Sequence, residues 1–332
     1  MHPFTLERPR DLSAAIALRA QSGRTDAAVE YIAGGTDMVQ LLQEYVRRPG
    51  KLVSLAGLLD NRVEIGPQGL RLGAAATMTD VAAHSDVAEQ FPLISQALLN
   101  SASPQVRNQA TMGGNVLQRT RCPYFRDVGY EACNKRTPGS GCAALEGENR
   151  WHAVLGTSDD CIAVHASDLA VALVALDAAL QVHGPTGERT IPLANLHNLP
   201  GKTPHLETTL EPGEVITAIT VPTEAAGMRS FYLKVRDRAS FEFAVVAVGA
   251  ALKMEGNRVS QARLALGGVG TKPWRLPRVE AALVGKTLDP AWLRDAAALA
   301  SEGAQGRGHN DFKIELMQRA IVRAVETAGA GA

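Results

Sequence analysis

The chain has 332 residues, 45% of them hydrophobic, and 34 basic against 34 acidic side chains, so its formal net charge is zero. That length allows two or three domains with sizeable cores, and the absence of clustered Lys and Arg argues against a nucleic-acid-binding face. No run approaches the roughly 18 apolar residues of a membrane span, and the N-terminus MHPFTLERPRDL lacks the basic and then apolar pattern of a signal peptide.

Residues 1–58 read as a small α/β unit. A helix is expected from Asp11 to Arg19, then an apolar strand over Ala28–Ala33 that ends in Gly34-Gly35-Thr36-Asp37. A second helix, MVQLLQEYVRR, and a short strand at Leu52–Leu55 follow. Residues 59–224 begin with strands at Val63–Ile65 and Leu70–Ala74 and helices near 78–84 and 93–100. The polar stretch Ser101–Asn115 is too rich in small residues for a core element. After a long irregular segment the order resumes. Ile162–Val164 reads as a strand, His165–Asp168 as a cap, LAVALVALDAAL as a buried helix, and 179–183, 188–191 and 215–221 as strands. Residues 225–332 show three strands (229–235, 243–253, 259–267) before three helices (276–284, 290–301, 311–327), which is the α+β order.

The chain's four cysteines, Cys122, Cys133, Cys142 and Cys161, all fall in the irregular segment, spaced by ten, eight and eighteen residues. Long loops inside compact domains are usually functional. Two disulfides, a zinc site, a [4Fe–4S] cluster or unrelated buried thiols all accommodate four cysteines. Zinc sites usually use short C-x2–4-C knuckles, and this chain has none.

Two glycine pairs carry a second signal. Gly34-Gly35, between strand and helix, would let a backbone approach a phosphate closely, with free N–H groups at the helix start. Thr111-Met112-Gly113-Gly114-Asn115 is a similar loop, and the two could grip one pyrophosphate. Each is also compatible with an ordinary turn. Asp168 opens an apolar helix, so it could cap that helix or accept a ribose hydroxyl. Lys234, Arg236, Arg238 and Glu242 sit in FYLKVRDRASFEF, which reads as a solvated edge strand or as one whose lysine reaches an electron-rich ring. Gly201-Lys202-Thr203 is not a P-loop, because Leu196 stands where that motif needs glycine. The eight histidines show no ligand spacing, and no nucleophile–base arrangement is evident.

AGGTD near residue 35, RNQATMGGN at 107–115, SDLAVAL at 167–173 and KVRDRASFEFA at 234–244 resemble the FAD-binding subunits of xanthine dehydrogenase/aldehyde oxidase molybdoenzymes. The likeness spans the whole chain. The stretches QRTRCPY, CNKR, PGSGCAALEG and CIAVHASD are similar to the flavin subunit of periplasmic aldehyde oxidoreductase, with a [4Fe–4S] insert. A comparable insert belongs to the 4-hydroxybenzoyl-CoA reductase flavin subunit. The resemblance implies an α+β chain: a two-part FAD-binding domain of the vanillyl-alcohol-oxidase/PCMH type (residues 1–58 and 59–224, with an iron–sulfur loop at 119–161), then a C-terminal domain (225–332) like that of the CO dehydrogenase flavoprotein.

The resemblance also implies site residues. Ala33, Gly34, Gly35, Thr36 and Asp37 would wrap the FAD pyrophosphate, with Tyr31, Ile32 and Met38 alongside. Ser101 and Ala102 would border the dinucleotide, and Thr111, Gly114 and Asn115 would form the second grip. Asp168 would hold a ribitol or ribose hydroxyl, Val215 and Ile216 would flank the isoalloxazine, and Lys234 would approach it. Cys122, Cys133, Cys142 and Cys161 would bind the [4Fe–4S] cluster. Asp37 stands where the wider family often has Asn or Glu, a change a capping position should tolerate.

By the same resemblance the chain is the electron-output subunit of a heterotrimer. A molybdenum-cofactor subunit would oxidise an aldehyde, a [2Fe–2S] subunit would relay electrons, and FAD here would pass them to an external acceptor. No dinucleotide fingerprint for NAD is present. The related expectations are a xanthine dehydrogenase or hydroxybenzoyl-CoA reductase subunit, a zinc-stapled scaffold, or a self-sufficient flavin oxidase. Location is expected to be periplasmic, by co-export with a partner bearing a twin-arginine signal, or else cytoplasmic.

Overall fold

The computed structural model describes residues 1–24 and 28–331. A first small sheet has the order β1 (Thr5–Glu7), β3 (Lys51–Ser54), β2 (Val29–Ile32), all parallel. Helix α1 (Leu12–Ala20) connects β1 to β2, and the Asp11 carboxylate caps it by accepting from the Ala14 N–H at 2.8 Å. Helix α2 (Met38–Gln43) connects β2 to β3. It is shorter than its apolar pattern suggests. The chain turns at Tyr45, whose φ of +59° no helix continues.

A second sheet runs β4 (Val63–Gly66), β5 (Gly69–Gly73), β8 (Val215–Pro222), β6 (Ala179–Gly184), β7 (Gly187–Pro192), antiparallel throughout. Helices α3 (Met78–Ala83), α4 (Ser85–Gln90) and α5 (Pro92–Leu99) share a core with it. The helices expected near 78–84 and 93–100 correspond to α3 and α5, whereas α4 was not expected. His84 (ψ 118°) breaks the first pair, and Phe91, just before Pro92, breaks the second. Three one-turn helices were not foreseen: α6 (Pro104–Arg107), α7 (Met112–Val116) and α8 (Pro123–Arg126). The strand expected at 162–164 does not form. Helix α9 (Asp168–Ala175) is buried along its whole length and stops before Asp177, whose φ is +56°.

The third sheet has the order β12 (Trp274–Arg275), β11 (Arg258–Gly267), β10 (Val246–Glu255), β9 (Arg229–Val235). Helices α10 (Pro277–Leu283), α11 (Pro290–Ala298) and α12 (Phe312–Ala330) lie on one face. Side chains alternate across a strand. Val246, Val248, Ala250 and Leu252 of β10 therefore join the α10–α12 core, while Ala247 and Ala251 join the core that contains α9. A sheet buried on both faces explains why VAVGAAL is an unbroken apolar run. The second face is packed tightly. A Cβ on Gly267 would come within 2.6 Å of Val171 Cγ2, so α9 sits almost on the strand backbone.

Lys313, in the first turn of α12, is wholly buried and donates to the Gly268 carbonyl at 2.7 Å. Burial lowers its ammonium to about 7 from 10.5; Arg150 lowers it further, and Asp237 opposes. The unfolded chain then binds more protons than the folded one between these two values, so stability rises with pH across that window. Lys313→Met is expected to abolish this rise, measured as urea midpoints taken across it.

Candidate functional site

A cavity of about 580 Å³ runs between the first sheet, the second sheet and the start of the third. This lies in the range of roughly 300–1,000 Å³ typical of sites for drug-sized ligands and cofactors. Every residue proposed from sequence for the cofactor lines it: Tyr31, Ile32, Ala33, Gly34, Gly35, Thr36, Asp37, Met38, Ser101, Ala102, Thr111, Gly114, Asn115, Asp168, Val215, Ile216 and Lys234. Residues up to 203 positions apart in the chain meet there because the parallel β2 edge, the α7 turn, β8 and β9 converge.

The two glycine loops offer different things. In the first, the N–H groups of Gly34, Gly35, Thr36 and Asp37 find no acceptor among the described residues. These residues are half-buried on the cavity wall just before α2, and a run of free N–H groups at a helix start is a suitable seat for an anion such as a pyrophosphate. Gly34 also has no room for a side chain, since a Cβ would lie 1.9 Å from the Gln109 carbonyl oxygen. In the second loop the N–H groups are already used. Met112 donates to Ala76, Gly113 to Ala74 and Asn115 to the Thr111 carbonyl, while Gly114 donates to the Thr111 hydroxyl at 3.2 Å. This loop is built to approach closely rather than to donate. Ala102 lines the same wall with a φ of +50°, a strained backbone for a residue with a Cβ.

Asp37 is no side-chain cap of α2. Its carboxylate instead accepts from the Arg119 N–H (2.8 Å), from Arg126 (2.7 Å) and from Arg121. Burial would raise its pKa, but Arg121, Arg126 and the Arg119 N–H outweigh burial and hold it below the ordinary carboxylate value. One ionised group thus ties the first glycine loop to the segment that follows the second. Several other cations of the cleft are paired too: Arg24 with Glu211, Arg47 with Glu30, Arg119 with Glu207 and Arg238 with Glu242. Burial would raise Glu207, yet Arg119, Lys135 and Arg47 bring it down to about 2.

At the far end of the cleft Asp168 has a saturated carboxylate. One oxygen accepts from Tyr232 Oη at 2.8 Å, and the other from Lys234 Nζ (2.8 Å) and Ser101 Oγ (3.1 Å). The cap of α9 is Ser167, whose hydroxyl accepts from the Ala170 N–H at 2.9 Å, and not Asp168. Lys234 also donates to the Asn100 carbonyl at 3.0 Å, so its ammonium is held at a fixed point on the cavity wall. Burial first, and then the Asp168 charge, keep the Tyr232 hydroxyl protonated as a donor. Sequence reading passed over Tyr232 and the three arginines around Asp37. No local pattern marks them, because their partners lie 64 to 89 residues away.

The cysteine segment corrects an expectation. Cys122, Cys133, Cys142 and Cys161 are all free thiols. Among the described residues no group of three or more His, Cys, Asp or Glu side chains is arranged to hold a metal ion, so the [4Fe–4S] assignment, and the metal role given to these four residues, is withdrawn. Zinc fails on the same geometry. The segment needs no cluster as an anchor. Arg136 donates to the carbonyls of Tyr124 (2.8 Å) and Phe125 (3.0 Å), and Lys135 pairs with Glu207 at 2.7 Å. Asn134 and Gly141 bond each other in both directions, and Asn149 reaches the Arg307 carbonyl at 2.9 Å. Burial pushes the Cys122 thiol up to about 12 and Cys161 up to about 11, and it raises Cys142 as well.

Comparison with known proteins agrees with the geometry. Residues 2–224 match the FAD binding domain in molybdopterin dehydrogenase, and residues 231–328 match the CO dehydrogenase flavoprotein C-terminal domain. The chain is 44% identical to the aldehyde oxidoreductase FAD-binding subunit PaoB of Escherichia coli K12, covering 100% of both chains. It is 26% identical to the carbon monoxide dehydrogenase medium chain of Afipia carboxidovorans, over 99% of this chain and 98% of that one. The structure of reconstituted CO dehydrogenase from Oligotropha carboxidovorans superimposes with a TM-score of 0.77 at 25% identity, covering 100% of both chains. The fold is thus the two-part α+β architecture expected, a PCMH-type FAD-binding domain followed by the CO dehydrogenase flavoprotein C-terminal domain. No helix among the described residues is long and apolar enough to cross a membrane. With its cleft, its paired glycine loops and its matched domains, this chain belongs to the FAD-binding subunits of the molybdopterin dehydrogenase family of oxidoreductases.

Proposed function

We propose that the chain is the FAD-binding electron-transfer subunit of a molybdenum-dependent aldehyde oxidoreductase. The observation that carries the FAD site is the run of four unpaired N–H groups, Gly34 to Asp37, on a cavity shared with Lys234 and Asp168. The 44% identity to an aldehyde oxidoreductase subunit supports the substrate class. Aldehyde oxidation would take place on a molybdenum-cofactor subunit, with a [2Fe–2S] subunit between it and this chain. FAD, when bound, supplies the carrier that accepts electrons from inside the complex and releases them to an external acceptor.

This chain's own residues do the holding and the tuning. The N–H groups of the first loop would bind the pyrophosphate, and the closely packed second loop would exclude water from its other side. Val215 and Ile216, both buried on β8, would give the ring system an apolar wall. Lys234, fixed by Asp168 and Asn100 on the cavity wall, would supply a positive charge to offset the negative charge a bound flavin gains on reduction. We also place the complex in the periplasm, carried there folded by a partner with a twin-arginine signal. Cell fractionation with the partner's signal deleted tests this, and an unchanged periplasmic pool overturns it.

The central test is purification with the natural partners, followed by cofactor analysis and mass spectrometry of the co-purified chains. A stoichiometric FAD, together with molybdenum and [2Fe–2S] subunits, is the expected result. A flavin-free chain, or one isolated without such partners, would overturn the proposal.

A further inference from the structure

Beside the main cleft lies a second cavity of about 200 Å³, below the range of drug-sized ligand sites. It shares Arg121, Ala166, Asp168, Glu242 and Phe243 with the cleft, so the two chambers are neighbours through a common wall at the Asp168 end. Its lining is mostly apolar or aromatic, with Trp151, Val164, Val171, Ala244 and Ala247 among the contributors.

Two of its walls are aromatic rings that a folded chain would ordinarily hide. Trp151 is 51% exposed and Phe243 43%. Both rings are nevertheless held in place. The Trp151 indole N–H donates to Asp237 Oδ2 at 3.2 Å, and the Arg121 guanidinium lies 5.2 Å from the Phe243 ring centroid. Fixed, half-open aromatic surfaces beside a small apolar chamber suit a flat, apolar guest that stacks.

We propose that this cavity binds a small planar two-electron acceptor of the quinone class, and that it is the outlet for electrons leaving the neighbouring cleft. The proposal rests on FAD occupying that cleft. Fully reduced, protonated FAD would give up two electrons and two protons and return to its oxidised form, and the quinone would take up both pairs, its two carbonyls becoming hydroxyls. The chamber's size favours a compact quinone head over a protein or a dinucleotide as its occupant.

The test uses the FAD-loaded chain within its complex and menadione as the probe. Equilibrium dialysis measures menadione binding, and stopped-flow absorbance follows flavin reoxidation by menadione and, separately, by ferricyanide. Trp151→Ala removes a wall, and Ala244→Phe fills the chamber. Both variants are expected to weaken menadione binding about five- to tenfold, the worth of one good aromatic contact. Reoxidation by menadione should slow in step, while FAD affinity and reoxidation by ferricyanide stay unchanged. Unsaturable menadione binding, equal binding in both variants, or competition between menadione and FAD for one site would each overturn the proposal. FAD uptake is titrated first. A chain that takes up no FAD refutes the reading of the main cleft, whereas dialysis against that same chain still reports whether the small cavity binds menadione.

Discussion

A Gly34→Ala chain is expected to lose FAD uptake and to unfold at markedly lower denaturant. The added methyl would stand 1.9 Å from the Gln109 carbonyl oxygen and 2.8 Å from its carbon. These are backbone atoms of the turn leading into the second glycine loop, so no side chain can swing aside. Forcing them apart costs about 1–3 kcal/mol or more, and it widens the gap between the two loops. Gly66→Ala, with nothing within 4 Å of its Cβ, is the control and should behave as the parent does. Urea midpoints and flavin fluorescence titrations of both chains check this, and parental FAD affinity in Gly34→Ala would refute it.

Asp168→Asn should be almost as damaging, for an electrostatic reason. It leaves the Lys234 ammonium, only 1% exposed, without its counter-charge. Breaking a buried pair from one side typically costs about 3–5 kcal/mol, because the remaining charge is stranded. It also weakens the acceptor that holds Tyr232 and Ser101. The double variant Asp168→Asn/Lys234→Met removes the stranded charge and should recover much of the stability but not the FAD affinity. Denaturation midpoints of the two single variants and the double variant measure the coupling. Additive losses would show that the pair does not act as a unit.

The residues that line the main cavity left marks in the sequence because they fall in short local patterns. A diglycine after a strand, a second diglycine beyond a polar stretch, and an Asp at a helix start each leave a mark within a few residues. What holds those parts is not local. Tyr232 reads as one more apolar strand residue, and Arg119, Arg121 and Arg126 read as loop charges, until folding brings them to Asp168 and Asp37. The cysteines show the opposite error. Their confinement to one segment is a fact of sequence, but convergence of side chains is a fact of three dimensions, and the segment folds without arranging them as ligands. In the fold, the long elements of the C-terminal part were evident from their periodicity. The breaks at His84 and Phe91, and the one-turn helices, were set by single backbone angles and hydrogen bonds that periodicity does not register.

The bonds around Asp37 have a last consequence. Because one carboxylate clasps three donors from the stretch just past the second loop, the aperture between the loops is fixed by protein alone. The vacant protein should already have the contour of the loaded one. Uptake of the dinucleotide then resembles insertion into a rigid mould, with little ordering left to be done on arrival.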